Sequence, residues 1–229
     1  MDKELISYLE QFITNDRVNT INKVIEMRTR YITVAIENIY QSHNASAVVR
    51  TCECIGIQDI HVIENKNRYN INPDVVMGAS GWVDIYKYKS SDKSSMEAIL
   101  SLKKSGYRIV ATTLDENACT LNDFNLHAGK CALFFGTELN GISENVIKNT
   151  DEFLKIPMFG FTESFNISVS AAIILYQLIN RLHHSDIKWE LTQEEKSALK
   201  LSWLRNSINK CDLIEKYFYE QKENNPNFF

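Results

Sequence analysis

The sequence predicts an α/β fold with a mainly parallel sheet, extended by helices at both ends. Two observations predict it. Between about residues 30 and 184, short apolar runs rich in β-branched and aromatic residues alternate with helix-patterned runs. Outside that span the pattern is helical and contains no strand-like run. The 229 residues suffice for one large domain with additions, and 3 prolines with 8 glycines leave no long linker. The expected division is a helical extension over 1–29, an α/β domain over 30–184 and a second helical extension over 185–229.

Taken in order, residues 3–29 read as one or two amphipathic helices, followed by a strand at YITVAIEN (31–38). NASAVVRTCECIG (44–56) reads as a helix with Asn44 as N-cap and Gly56 as its stop. IQDIHVIE (57–64) and VDIYKYK (83–89) read as strands, and SDKSSMEAILSLKKSG (91–106) as a helix ended by glycine. YRIVATTL (107–114) and KCALFFG (130–136) are further strands; Ser143 caps a short helix, and EFLKIPM (152–158) is the next strand. Asn166 is the N-cap of a buried helix from Ile167. Thr192 and Glu195 form a capping box ahead of a helical C-terminal region.

Composition narrows the function. A net charge of −4 gives no support for nonspecific nucleic-acid binding across the whole surface, so such a partner would have to be met by local basic patches. Arg17, Lys23, Arg28 and Arg30 form one candidate patch, and Lys196, Lys200, Arg205, Lys210 and Lys216 another. Solvated helix faces explain both equally well. No apolar run is long enough to cross a bilayer, and the mixed, acidic start MDKELISYLEQF is unlike a secretion signal, so a cytoplasmic protein is expected. The 5 cysteines form no CxxC pair, and Cys52 and Cys54 have no partner at ligand spacing. They read as buried thiols, and no metal is expected.

In open α/β sheets ligands sit beyond the carboxyl ends of the strands. Three polar or glycine-bearing segments leave strands there: Gln41–Asn44, Gly136–Gly141 (GTELNG) and Gly160–Asn166. The chain has no GxGxxG after the first strand, no GxxxxGK[ST], no GxSxG and no HExxH, so dinucleotide, P-loop, hydrolase and zincin readings lose their usual support. Arg50 follows the apolar face of Ala45, Ala47, Val48 and Val49; it reads as a surface arginine, alone or paired with a carboxylate such as Glu53, or as an anion clamp. Glu138 lies between two glycines, and Ser164 and Asn166 crowd the handover from strand to helix. Capping and close helix packing explain part of that crowding.

NASAVVRTCECIGI, LFFGTELNGIS and IPMFGFTESFNISVSAAIILY resemble, in order and spacing, the three signature motifs of the SPOUT methyltransferases. The likeness is greatest to the TrmH-type branch and covers about two-thirds of the chain. It implies a C-terminal trefoil knot, S-adenosylmethionine as cofactor and homodimers in which one subunit completes the other's site. It implies ribose 2′-O-methylation of RNA. The helical extensions resemble those of enzymes acting on a D-loop guanosine (position 18) of transfer RNA. Carried over by position, Arg50 is the catalytic arginine, and Asn44, Glu138, Ser164 and Asn166 are supporting polar residues. Thr112, Gly136, Ile156 and Phe165 fall at cofactor-contacting places. Phe165 stands where leucine is frequent and Ser170 where alanine is common. A ribosomal-RNA enzyme of the same fold, a non-catalytic RNA-binding relative and an unrelated nucleotide-binding enzyme are the competing expectations.

Overall fold

The structure is a computed structural model describing residues 2–65, 68–70, 72–89, 93–137, 141–225 and 228. It contains two compact units, residues 29–189 and residues 1–28 with 190–229.

The larger unit is built on seven described strands: β1 (Ile32–Glu37), β2 (Asp59–Ile63), β3 (Asp84–Tyr88), β4 (Arg108–Thr112), β5 (Cys119–Thr120), β6 (Cys131–Phe135) and β7 (Glu152–Lys155). Their order across the sheet is β3-β2-β1-β6-β4-β7-β5, and every described strand pairing is parallel. A parallel sheet needs cover on both faces, which is why β1, β2 and β6 are buried at every position. One face carries Ile32, Val34, Ile36, Val110 and Leu133 and packs under α3 (Ser42–Cys54) and α7 (Ile167–His183). The other carries Ala35, Ile109, Ala132 and Phe134 under α5 (Ser94–Lys104) and α6 (Glu144–Asn149).

Most predicted ends fall where local chemistry sets them. Gly56 and Gly106 adopt φ of 87° and 81° and stop α3 and α5. Ser143 Oγ accepts from Val146 N at 3.5 Å, and Asn166 Oδ1 accepts from Ser168 N at 2.9 Å. One cap differs. α3 begins at Ser42 with Gln41 at its N-cap position, so Gln41–Asn44 is the entry and first turn of a helix rather than a loop. Gln41 O accepts from Ala45 N at 3.2 Å, which extends the helix one turn further back. Asn44 is freed for a tertiary contact. Two short elements have no counterpart in the expected series, α4 (Pro73–Val76) and β5.

The helical unit contains α1 (Asp2–Leu9), α2 (Asn15–Ile25), α8 (Gln193–Ser207) and α9 (Cys211–Asn224) around Leu5, Leu9, Ile25, Trp203, Leu204 and Phe218. The Thr192–Glu195 capping box is formed. The C-terminal helical run breaks at Ile208–Lys210, where Lys210 takes φ 55°. The terminal cations are largely engaged within their own units. Lys196 pairs with Glu26 and Lys200 with Glu10 at 2.5 Å, Arg205 holds Glu215 by two bonds, and buried Arg28 lies 5.1 Å from the Trp203 ring centre. Arg30 in the α/β unit pairs with Asp59 and Asp84. No described helix is long and apolar enough to cross a membrane.

Candidate active site

β6, β4 and β7 lie side by side in the sheet, and the segments leaving their carboxyl ends bound a cavity of about 430 Å³. β4 and its extension supply Ala111 to Leu114; β6 and its turn supply Phe135, Gly136 and Thr137. Leu154, Ile156 and Met158 follow from β7, then Ser164 and Phe165, and finally Ile167, Ser170 and Ile174 of α7. Gly141 and Ile142 close the side next to β6. This volume falls within the range of about 300–1,000 Å³ typical of small-molecule sites. Its walls combine apolar side chains, main chain around two glycines, and the hydroxyls of Thr112, Ser164 and Ser170. That mixture fits a ligand with a flat apolar part and several polar groups.

Two glycines hold the Gly136–Gly141 turn for different reasons. Gly141 has φ 62°, a conformation that costs a side-chain-bearing residue energy. Gly136 has no positive φ, but its Cα faces the Gly141 carbonyl so closely that a Cβ would lie 2.1 Å from that oxygen. Thr137 N donates to Gly141 O and Gly141 N to Thr137 O, both at 2.9 Å, closing the turn as an antiparallel bridge.

The four positions expected to contact a cofactor, Thr112, Gly136, Ile156 and Phe165, all line this cavity. Thr112 Oγ1 donates to Phe134 O at 3.0 Å, tying the ends of β4 and β6 together. Of the polar residues expected to act on the acceptor, Ser164 lines the cavity. Asn166 stands at the entrance to α7. Its Oδ1 accepts from Ser168 N, and its Nδ2 donates to Asn44 Oδ1 at 3.2 Å; Asn44 Nδ2 in turn donates to Gln41 Oε1 at 3.1 Å. A line of carboxamides therefore joins the first turns of α3 and α7. Glu138 lies outside the described residues. Arg50 is not brought to the cavity within its own chain: it is exposed on α3, and its Nη1 reaches the Val75 carbonyl at 3.4 Å.

Gly160, the first residue of the Gly160–Asn166 segment, sits at the exposed tip of its loop, and the cavity is lined by Ser164, Phe165 and Ser170 instead. Cys52 is buried and Cys54 exposed, because residues two apart on a helix point about 200° apart. Among the described residues no group of three or more His, Cys, Asp or Glu is placed to hold a metal. One residue near the site escaped sequence reasoning. Glu37, the last residue of β1, is 2% exposed and hydrogen-bonded to Ser95 and Ser143.

Residues 31–176 match the SpoU rRNA Methylase family. Over 210 residues, 92% of this chain and 94% of the relative, the sequence is 45% identical to the tRNA (guanosine(18)-2′-O)-methyltransferase of Borreliella burgdorferi. The crystal structure of the Aquifex aeolicus TrmH/SpoU tRNA modifying enzyme superposes with a TM-score of 0.73 at 29% identity, covering 85% of this chain and 98% of that one. The AviRb methyltransferase of Streptomyces viridochromogenes, solved with AdoMet, shares the fold at a TM-score of 0.57 and 21% identity, over 70% of this chain and 61% of its own.

Proposed function

We propose, on the premise that this chain belongs to the SpoU rRNA Methylase family, that it methylates the ribose 2′-hydroxyl of guanosine 18 in the D-loop of transfer RNA. The cavity at the ends of β4, β6 and β7, lined by Thr112, Gly136, Ile156 and Phe165, is the observation that carries the reading. The 45% identical relative, matched over 92% of this chain, bears the name of that activity and sets the choice of RNA. The cofactor is S-adenosylmethionine, which supplies an electrophilic methyl group on a sulfonium. Ile156 and Phe165 would hold the cofactor by apolar contact, and the main chain of Gly136, Thr137 and Gly141 would offer it polar partners. We assign the family's trefoil knot to the C-terminal half of the larger unit, and a cytoplasmic location to the protein.

The chain's own task is alignment of the acceptor oxygen with the methyl group. Asn166 and Asn44, joined through the carboxamide line, and Ser164 on the cavity wall position the acceptor ribose, and Glu138 belongs with them. Arg50 clamps the neighbouring phosphate and stabilises negative charge as it develops on the 2′-oxygen; a guanidinium stays protonated in proteins and does not serve as the base. Its exposure, away from the cavity of its own chain, supports a homodimer in which Arg50 serves the partner's site. Val169 and Tyr176, exposed on α7, are apolar surface that such an association would cover.

The test is transfer of tritium from labelled S-adenosylmethionine to unmodified transfer RNA and to ribosomal RNA, followed by mapping of the labelled nucleotide. Label on the 2′-oxygen of guanosine 18 is the expected result; label only in ribosomal RNA, or none, overturns the substrate reading. Arg50→Ala should slow single-turnover transfer by about 100-fold or more while transfer-RNA affinity changes far less. Intact turnover with weakened RNA binding would remove Arg50 from the chemistry.

A further inference from the structure

Glu37 is a buried carboxylate that the reaction as described does not use, yet it is bound from three directions. Its Oε1 accepts from Ser143 Oγ at 2.7 Å and from Ser95 Oγ; its Oε2 accepts from Ser143 N at 2.9 Å. Both serine hydroxyls are also acceptors. Ser95 Oγ receives Asn65 Nδ2 at 2.7 Å, and Ser143 Oγ receives Val146 N as the cap of α6. Each hydroxyl has one hydrogen, and these contacts direct both hydrogens at Glu37. The network therefore has a fixed polarity that only a pure acceptor at position 37 satisfies.

The location gives this network its meaning. Ser143 directly follows Gly141 and Ile142, which form one wall of the cavity. The Thr137–Gly141 bridge ties Gly141 to the end of β6 and leaves the far side of the wall, at Ser143, to be tied to the sheet by another group. Glu37 does so, because it is the carboxyl end of β1 and β1 pairs with β6 on the strand leading into the turn. We propose that Glu37 is a positioning residue for the cofactor: through Ser143 it sets the Gly141–Ile142 wall at the distance from Thr112 and Phe165 that the bound molecule needs. The inference rests on the cofactor reading above.

The test is Glu37→Gln, with Ser143→Ala beside it. The amide turns an NH₂ group either toward the Ser143 backbone N–H or toward the two hydroxyls whose hydrogens point at this position, so one or more bonds to it are lost. Backbone hydrogen exchange followed by NMR should show the Thr137 and Gly141 amides opening about tenfold faster or more, with the strand amides of β2 and β4 unchanged. Calorimetric titration with S-adenosylmethionine should show affinity falling by a similar factor. Ser143→Ala keeps the backbone bond to Oε2 and should fall between wild type and Glu37→Gln in both readouts. Unchanged exchange at 137 and 141, faster exchange spread evenly over the sheet, or unchanged cofactor affinity despite a looser turn would each overturn the proposal. If wild type itself bound no S-adenosylmethionine, the functional reading would fail while hydrogen exchange still decided whether Glu37 holds the wall. Should Glu37→Gln not fold, Ser95→Ala, which removes one donor to the same carboxylate, makes the comparison with Ser143→Ala.

Discussion

Replacing Gly136 by alanine tests how the cavity wall is held. The new methyl carbon would lie 2.1 Å from Gly141 O, 2.2 Å from Gly141 C and 2.5 Å from Ile142 N. Non-bonded carbon contacts are comfortable at about 3.5 Å or more, so the shortfall exceeds about 1 Å. All three neighbours are backbone and cannot rotate away. The turn must therefore shift bodily and give up the paired Thr137–Gly141 hydrogen bonds, two bonds of 2.9 Å. At about 1 kcal/mol each, their loss costs about 2 kcal/mol. For a chain of this size that lowers the melting temperature by about 4–8 °C. A wall displaced by about 1 Å should also weaken cofactor binding, by up to about 100-fold. Calorimetric titration with S-adenosylmethionine and a thermal melt of the same samples measure both. A Gly136→Ala protein that bound the cofactor as wild type and melted at the wild-type temperature would show that the turn is not closed as described.

His61 and the cysteines give two further expectations. Burial pulls the His61 imidazole down to about 4, while its Nδ1 meets the Tyr88 hydroxyl at 2.9 Å and its ring stacks on Tyr86. The unfolded chain takes up this proton near pH 6.5 and the folded chain only near 4, so stability is complete above about 6.5 and drains as pH falls toward 4. Between pH 7.5 and 5 the loss is roughly 2 kcal/mol. Urea titrations at the two pH values should show His61→Phe losing that much less than wild type, and equal losses would contradict the burial argument. For the thiols, burial pushes Cys131 up to about 12 and Cys211 up to about 11, whereas Cys54 is exposed. Iodoacetamide at pH 7.5 should label Cys54 first and leave Cys52 and Cys131 intact until urea is added, as read by peptide mass spectrometry; early labelling of Cys131 would contradict the fold.

The strands and long helices could be read from sequence because their signals are local. β6 is apolar throughout and β1 and β2 are mostly apolar, with Thr33, Glu37, Asp59 and His61 as polar exceptions, which is the pattern of strands covered on both faces. Glycine at 56 and 106 and the Thr192–Glu195 pair are chemistry that needs only a few neighbouring residues. Asn44 marks the limit of such signals. Asparagine caps well at a helix start, but it also serves as a buried hydrogen-bonding partner, and the bond to Asn166 spans 122 residues. The two-residue β5 and four-residue α4 are too short to display any period. The cavity is built from three strand ends, and no local pattern in any one of them carries its shape. The ordered likeness of three motifs pointed there, as periodicity could not. Glu37 was hidden for the same reason: its partners Ser95 and Ser143 lie 58 and 106 residues away, and in sequence it is one acid after an apolar run.

The cavity is held in shape chiefly by residues other than those whose side chains face it. Gly136 permits the close approach of Gly141, Asn166 starts α7 and ties it to α3, and Glu37 anchors Ser143 behind the wall. Each uses main-chain N–H or C=O groups that would otherwise be left without partners where strands and helices end. This leaves the hydroxyls of Ser164 and Ser170 and the apolar faces of Ile156 and Phe165 presented to whatever occupies the space. It also accounts for so many small polar residues between a core strand and a core helix. A loop that must satisfy its own backbone, leave room for a ligand and still offer that ligand hydrogen bonds needs small polar residues between the few large apolar ones that form its wall. Of its large side chains, Ile156, Met158 and Phe165 line the cavity, whereas Phe159 and Phe161 stand fully exposed at the loop's tip, outside the cavity wall.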